Sequence, residues 1–296
     1  MRGLVITADR HLYTMSADAR PVGRVSSGEI VAFECLDALG GQIRSEEDTV
    51  ADIDFSRVNP ATGPVYVEGA EPGDTLAVDI LAIDTASTGV VLSVPNLGIL
   101  GDRVQTPRTS IARIGPRWVE LEGIRLPKAP MIGVIGVAPR GGAVPCGTPG
   151  PHGGNMDTRE IRVGSTLYLP VSQPGALLAL GDVHAVMGDG EVCGTGVECA
   201  AKVTVRVRVV RDWPVEWPWL ETEDDLMVIA SAADLDAAAR EATSQLVEFL
   251  HRRCGYSFDT AYMLVSTVGD LRISQVVDPL LTVRASIPRT YVEGEQ

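Results

Sequence analysis

Residues 199–213, CAAKVTVRVRVVRDW, carry the pattern that most limits the fold, because apolar and polar residues alternate along them. Val203, Val205, Val207 and Val209 share one face, which is the two-residue period of a strand with one buried side. Other short strand patterns precede this segment, separated by turns that use many of the 31 glycines and 19 prolines. The succession predicts a sandwich or barrel of short strands rather than parallel βαβ units.

The composition changes after residue 230, where two segments have the periodicity of amphipathic helices. Both lie at about residues 231–270, and strand patterns resume beyond them. We therefore predict a mainly β fold with an α+β C-terminal part. The expected organisation is an N-terminal β-sandwich-like domain over residues 1–127. An α+β domain with Gly-rich metal-site and active-site loops is expected over residues 128–296.

The charge balance limits the partners of the protein. The formal net charge is −14, so little positive charge is present to neutralise the phosphates of a nucleic acid. A small neutral substrate or a cation is easier to accommodate than a strongly anionic ligand. The chain shows no signal-peptide pattern and no apolar run long enough to span a membrane. A cytoplasmic protein without a membrane partner is the expectation.

The segment GDVHAVMGDGE, residues 181–191, combines acidic side chains with one of only four histidines. In a strand, Asp182 and His184 point the same way, and Asp189 and Glu191 form a second pair with the same spacing. If both pairs face one cleft, a carboxyl group must be protonated or a cation must neutralise the charge. Zinc, manganese and calcium are candidates. A solvated hairpin with Asp residues in its turns is an equally weighted alternative.

The Gly-rich loop GPHGGNMD, residues 150–157, is a second candidate site. His152 and Asp157 have side chains that can bind a metal, and Asn155 can donate a hydrogen bond to a carbonyl oxygen. Small neighbours allow a ligand to approach the backbone closely. The alternative is a turn stabilised by a side-chain hydrogen bond of Asn155 or Asp157.

Other polar residues are weaker candidates. Glu68 would join a metal site if it faced inward and would be a rim carboxylate otherwise. His11 is a weak candidate for the site. The five cysteines form no CxxC motif, which disfavours disulfides and thiolate zinc sites. Cys146 and Cys193 are conceivable nucleophiles, but a free cysteine is more often a small buried apolar residue. Serine-nucleophile, P-loop and Rossmann motifs do not occur.

Several segments together resemble the acetamidase/formamidase family of metal-associated amide hydrolases. They are NPATGPVYVEGAEPGDTL, GPHGGNMDTREIRVGSTLYLPV, GALLALGDVHAVMGDGEVCGTGVE and AYMLVSTVGDLRISQVVDP, within about residues 20–290. The resemblance implies a β-sandwich-like region, a small barrel-like region and an α+β part. It also implies hydrolysis of a short linear amide to a carboxylate and ammonia by a homodimer or higher homo-oligomer. The matching site positions are His152, Asn155, Asp157, Asp182, His184, Asp189 and Glu191.

Roles for these residues follow from amide chemistry, which needs an activated water, a polarised carbonyl group and a proton for the leaving nitrogen. We expect a divalent ion, with zinc favoured and calcium or manganese as alternatives. Glu191 is the expected general base, Asn155 the oxyanion donor, and Asp189 the residue that orients a ligand histidine or holds the turn. The expected metal ligands are His184, Asp182 and Asp157, with His152 as a fourth ligand or outer partner.

One position departs from the family pattern, since Met187 stands where its members usually carry Gln. A thioether scarcely hydrogen-bonds an amide, so a larger or more apolar amide substrate is one alternative. A non-catalytic protein that binds a metal ion and a small polar ligand is another. A Cys-dependent amidase is a third.

Overall fold

The computed structural model of the chain describes residues 3–292. Within this range it contains 22 strands and two α-helices. The strands are β1 Leu4–Ile6, β2 His11–Leu12, β3 Thr14–Ser16, β4 Gly23–Ser26, β5 Ile30–Cys35, β6 Ala61–Glu68, β7 Thr75–Thr85, β8 Thr88–Ser93, β9 Arg108–Ile114, β10 Trp118–Leu121, β11 Ile124–Pro127, β12 Met131–Gly136, β13 Ala143–Pro145, β14 Gly153–Asn155, β15 Thr166–Pro170, β16 Leu178–His184, β17 Glu198–Cys199, β18 Ala201–Val210, β19 Trp219–Glu221, β20 Asp225–Ala232, β21 Asp270–Gln275 and β22 Leu281–Pro288. The helices are α1 Leu235–Arg253 and α2 Phe258–Val268.

Two large sheets form the framework. Sheet A has nine strands in the order β1-β5-β18-β7-β15-β19-β20-β22-β21. Its longest pairing joins β18 and β7, which run antiparallel from Ala201↔Thr85 to Val210↔Thr75. Val203, Val205 and Val207 of β18 are fully buried, as their alternation predicts.

Sheet B has eleven strands and carries the candidate site. Its main path is β11-β10-β9-β8-β17-β16-β12-β14, and β6 branches from β16 to pair with β2 and β4. The buried strand β16 therefore contacts three partners, with β12 on one side and β17 and β6 along the other. Every residue of β16 is buried, because the strand lies in the middle of the sheet.

The two sheets share one hydrophobic core. Phe33 and Val205 of sheet A belong to the same buried cluster as Ile132 and Leu180 of sheet B. Strands from both sides of residue 127 alternate within each sheet. The expected boundary between residues 1–127 and 128–296 therefore marks no gap in the sheets or in the core that joins them.

The helices cover the C-terminal half of sheet A, as the α+β prediction requires. Leu246 and Leu250 of α1 pack with Val228 of β20 and with Ile287 of β22. Helix α2 begins at the N-cap residue Ser257, whose side chain accepts a hydrogen bond from the Thr260 amide. The mainly β fold with an α+β C-terminal part is confirmed.

The barrel-like region expected from the resemblance is a point of difference. Over residues 3–292 the first and last strands of each large sheet do not pair with each other, so neither sheet closes on itself. The hydrophobic faces are buried by stacking the sheets and adding two helices, which makes closure unnecessary. In this same range, neither helix combines the length and the apolar composition needed to cross a bilayer.

Candidate metal and active site

Strand β16 places Asp182 and His184 together inside sheet B. Their side chains are buried, and the His184 Nε2 atom lies 3.1 Å from Asp182 Oδ1. The two residues are two positions apart on a strand, which gives their side chains a common direction. A polar pair at this depth requires compensation from other groups, because an isolated charge is costly to bury.

The loop after β14 and the turn after β16 both reach this imidazole. Strand β14 pairs with β12, which in turn pairs with β16, so the loop that follows β14 comes beside His184. Asp157 Oδ1 lies 3.8 Å from His184 Nε2, and Glu191 Oε1 lies 4.0 Å from the same atom. Both carboxylates are buried. The loop at 150–157 and the segment 181–191 thus meet around one histidine.

Two further acidic residues belong to this cluster, and neither is among the candidates predicted from the sequence. Glu198 is the cross-strand partner of His184 in the β16–β17 pair, and its Oε2 atom lies 3.1 Å from Nε2. Asp278 follows β21, and its Oδ1 atom accepts a hydrogen bond from Asn155 Nδ2 at 3.1 Å. A carboxylate flanked by Val197 and Cys199 is a signal that could have revealed Glu198, whereas Asp278 precedes a proline in an ordinary loop pattern.

Asp189 and His152 lie apart from the ligand groups. The Asp189 carboxylate faces Arg284, whose Nη2 atom is 2.9 Å from both of its oxygens. His152 is buried, and its Nε2 atom has no hydrogen-bond partner within residues 3–292. Burial lowers the pKa of His152 to about 4, so its imidazole is neutral at physiological pH. Neither residue is in the two groups of side chains close enough to share an ion.

The remaining weaker candidates also lie elsewhere. Glu68 is exposed and forms an ion pair of 2.9 Å with Arg24, so it is a rim carboxylate. The half-buried His11 imidazole contacts the Ala8 carbonyl oxygen and the Tyr13 hydroxyl group. Burial raises the pKa of the Cys146 thiol to about 12, which opposes formation of a thiolate.

The pKa shifts in the cluster have one main cause, which is burial of acids beside one another. Burial, with the Asp182 charge, raises the pKa of Asp157 to about 7, and burial raises that of Glu198 to about 8. Burial and the Asp157 charge also raise the pKa values of Glu191 and Asp278 well above their ordinary range.

The pair at the centre of the cluster shifts in the other direction. Burial opposes both charges, but the His184 imidazolium and its hydrogen bond hold the pKa of Asp182 below its ordinary value. Glu198 and Asp182 in turn hold the pKa of His184 well above its ordinary value. One imidazolium cannot neutralise all the surrounding carboxylates, so full ionisation of the cluster needs a further cation.

The donor atoms present fit a divalent metal ion. Asp157–His184–Glu191 and Asp182–His184–Glu198 are both close enough to share an ion. Both Asp157 oxygens are buried without a hydrogen-bond partner among the described residues. Unpaired buried carboxylate oxygens are costly, and a cation would satisfy them. A set of one imidazole and several carboxylates suits zinc or manganese.

The backbone at the cluster is strained where the acidic residues lie. Asp157, Asp182 and Glu191 have φ values of +42°, +52° and +45°. Such conformations cost about 1–3 kcal/mol each and persist at functional sites where the surroundings enforce them. Gly133 and Gly196 leave the necessary space, because a Cβ atom on Gly133 would collide with two of the carboxylates and one on Gly196 would lie 2.6 Å from His184 Nδ1.

Met187 lies behind the histidine. Its Sδ atom is 3.3 Å from His184 Nδ1, the ring nitrogen opposite the carboxylates. The expectation that this position contacts the substrate therefore needs revision, because the side chain touches the imidazole. A thioether is a weak acceptor for the Nδ1–H group, so it orients the ring less firmly than a side-chain amide oxygen would.

A cavity of about 340 Å³ opens onto the cluster. Its polar end is formed by Asp182, Glu191, Glu198, Asn155 and Asp278. The rest of the lining is mainly apolar and includes Leu39, Val50, Ile53, Leu92, Val94 and Leu97. An apolar pocket with a few convergent polar groups is the usual form of a small-molecule site.

Comparison with known proteins agrees with this geometry. The model of the acetamidase/formamidase family matches residues 13–145 and 142–292. The chain belongs to this family. The solved structure of an acetamidase from Bacillus halodurans is 47% identical, with a TM-score of 0.96 and coverage of 98% of this chain and 99% of that one.

More distant relatives bear the same kinds of name. A formamidase of Methylophilus methylotrophus is 26% identical over 88% of this chain and 84% of that protein. A putative formamidase of Schizosaccharomyces pombe is also 26% identical, and the match covers 64% of this chain and 61% of that protein. These members of the acetamidase/formamidase family support an amidase, a hydrolase of carbon–nitrogen bonds.

Proposed function

We propose that this protein is a metal-dependent amidase that cleaves the C–N bond of a short linear amide to give a carboxylate and ammonia. The observation that supports it most directly is the set of four carboxylates within 4.0 Å of His184 Nε2 at the polar end of the cavity. This arrangement concentrates potential metal ligands where a small neutral molecule can reach them.

His184, Asp182 and Glu198 are the proposed core of the ligand set, because both oxygens lie 3.1 Å from the imidazole nitrogen. Asp157, with two unpartnered oxygens, is the proposed fourth ligand in place of His152. Zinc is the favoured ion, since calcium prefers a shell made entirely of oxygens, and manganese is the alternative. When bound, the ion would polarise a carbonyl group and would lower the pKa of a coordinated water to about 7.

Glu191 is the proposed general base. It lines the cavity and is buried, and burial beside Asp157 raises the pKa of its carboxyl group. Its carboxylate takes a proton from the attacking water, whose oxygen bonds to the amide carbon. The C–N bond then breaks as Glu191 returns the proton to the nitrogen, which leaves as ammonia.

Asn155 is the proposed contact for the substrate amide. One Nδ2 hydrogen is committed to Asp278, which leaves the other for the substrate carbonyl oxygen. The Asn155 Oδ1 atom is buried and has no partner among residues 3–292, so it can accept a hydrogen bond from the substrate NH₂ group. A side-chain amide thereby matches both polar groups of an amide substrate.

The test combines metal analysis with product detection. The purified protein should contain about one equivalent of a divalent ion by elemental analysis, and it should release ammonia from formamide or acetamide. A chelator should abolish ammonia release, and the metal should restore it. If no amide in the panel releases ammonia while the bound ion still stabilises the fold, the protein binds metal and ligand without this catalysis.

A larger apolar amide is the second candidate substrate, because most of the cavity lining outside the cluster is apolar. A volume of 340 Å³ is far greater than acetamide needs, at about 30 Å³ per water-sized group. Each buried methylene contributes about 0.8 kcal/mol, so kcat/KM should rise about four-fold per carbon from acetamide to butyramide. A fall in kcat/KM from acetamide to butyramide would show that the protein prefers the shortest amides.

Self-association is also part of the proposal, as a homodimer or higher homo-oligomer. Phe258, Tyr262 and Met263 on α2 are 49%, 57% and 59% exposed, which supports a protein contact on that face. Light scattering of the purified protein measures the oligomeric state directly, and a monomeric mass would contradict the proposed self-association.

A further inference from the structure

Arg284 is the most unusual charged residue outside the cluster, because it is an arginine only 1% exposed. It lies on β22, where Ala285 and Ile287 face the helices, so Arg284 points to the opposite side of sheet A. There its guanidinium group meets the two loops that supply Asp157 and Glu191. Burying a guanidinium is costly unless every donor is paired.

The guanidinium contacts one carboxylate from each loop. Arg284 Nε lies 2.9 Å from Glu160 Oε2, and Nη2 donates to Glu160 Oε1 at 2.9 Å. Nη2 also lies 2.9 Å from both oxygens of Asp189. Glu160 is three residues after Asp157, and Asp189 is two residues before Glu191. One side chain therefore connects the two loops.

Ser274 of β21 reinforces the same connection. Its Oγ atom contacts Arg284 Nη1 at 3.3 Å and accepts a hydrogen bond from Thr158 Oγ1 at 2.9 Å. Its carbonyl oxygen accepts from the Gly190 amide at 2.8 Å. Thr158 and Gly190 are the direct neighbours of Asp157 and Glu191, whose backbones are strained.

We infer that Arg284 is a positioning residue that holds the loops of Asp157 and Glu191 in register through Glu160 and Asp189. A strained backbone relaxes unless its surroundings enforce it, and these ion pairs are the enforcing contacts. This inference rests on the proposed function for its catalytic consequence, while the effect on loop order stands independently.

The experiment compares Arg284→Met and Asp189→Asn with a matched control, Arg208→Met. Arg208 lies on β18 of the same sheet and binds Asp79 with two nitrogens, at 3.0 and 2.7 Å, away from the cluster. Hydrogen exchange of residues 156–161 and 188–192 should accelerate in both test variants and stay unchanged in the control. If Arg284→Met does not fold, Asp189→Asn still tests the inference, because it weakens the same ion pair from the loop side.

Kinetics give the second readout. Asp189→Asn should lower kcat by about 10- to 100-fold with KM within about two-fold, because misplacement of a catalytic group affects the chemical step. Arg284→Met should lower kcat in the same way. Arg284→Lys should have a higher kcat than Arg284→Met, because lysine restores the positive charge. Unchanged exchange in both loops, or a kcat equal to that of Arg208→Met, would overturn the inference. Wild-type protein that releases no ammonia overturns the proposed function alone, because exchange still decides the role of Arg284.

Discussion

His184 and Glu198 face each other across the β16–β17 pair, with His184 Nε2 and Glu198 Oε2 3.1 Å apart and both side chains buried. This contact joins a histidine and a carboxylate that no local motif connects. It places the candidate metal site within a sheet, where rigid neighbouring strands hold the ligands more firmly than loops would. Asp157 and Glu191 complete the cluster from loops at the same end.

Replacing Glu198 by Gln removes one proposed ligand oxygen charge while keeping the shape of the side chain. Metal affinity should fall by more than about 100-fold, as measured by competition with a chromogenic chelator, because loss of a group that only supports a ligand already costs about 10- to 100-fold. Glu68→Gln is the matched control, because Glu68 is an exposed carboxylate paired with Arg24. Equal affinity in the two variants would remove Glu198 from the ligand set.

Replacing Glu191 by Gln should separate binding from catalysis. The amide cannot accept the proton of water, so kcat should fall by about 10²- to 10⁴-fold. Metal content should stay close to the wild-type value, because the proposed core ligands Asp182, His184 and Glu198 are intact. Near-normal ammonia release would exclude Glu191 as the base, and loss of the ion would make it a ligand.

The metal-free protein should become less stable as the pH rises. The folded-state pKa values are raised, to about 7 for Asp157 and about 8 for Glu198, so the folded state binds these protons more tightly than the unfolded state. The stability that these two protonated groups contribute is fully present below their ordinary pKa values of 3.8 and 4.5. It is lost as the pH rises through about 7 and 8. The raised pKa of His184 acts in the same direction.

Thermal unfolding checks this sign. In chelator, the melting temperature should be lower at about pH 8.5 than at about pH 5.5. With excess zinc the order should reverse, because the ion binds deprotonated carboxylates. A melting temperature that rises with pH in chelator would contradict the proposed protonation of the metal-free cluster.

Replacing Gly196 by Ala should disturb the histidine directly. The new Cβ atom would lie 2.6 Å from His184 Nδ1, so either the imidazole or the loop that precedes β17 must shift. We expect destabilisation of about 1–3 kcal/mol and weaker metal binding, measured by denaturant unfolding and chelator competition. Gly141→Ala is the control, because nothing lies within 4 Å of its Cβ position, and it should change stability by less than about 0.5 kcal/mol.

Thiol chemistry should prove dispensable. Cys146 is buried with a pKa raised to about 12, and the Cys193 thiol contacts the Thr195 carbonyl oxygen at 3.5 Å. Cys193→Ala should therefore keep kcat/KM within about two-fold of the wild-type value, as should alkylation of accessible thiols in the native protein. Complete loss in the alanine variant would support the Cys-dependent alternative.

Secondary structure was largely readable from local pattern. The alternation in β18 and the two helices within residues 231–270 are local properties, since side-chain periodicity and capping residues act over a few positions. The arrangement of strands was not readable in the same way. Sheet order depends on contacts between distant segments, so the interleaving across residue 127 and the absence of closure in residues 3–292 followed only from the tertiary structure.

The same division applies to the site. Residue type and spacing indicated a cation near Asp182, His184, Asp157 and Glu191, because crowded acidic side chains need neutralisation wherever they meet. Spacing alone did not distinguish Asp189 from Glu191, since a turn with left-handed backbone rotates the two side chains apart. Strand pairing places Glu198 in the cluster, and loop packing places Asp278 there. Asp189 forms an ion pair with Arg284 instead. Local chemistry determined which residues have side chains that can bind an ion, and long-range packing decided which of them lie close enough together to share one.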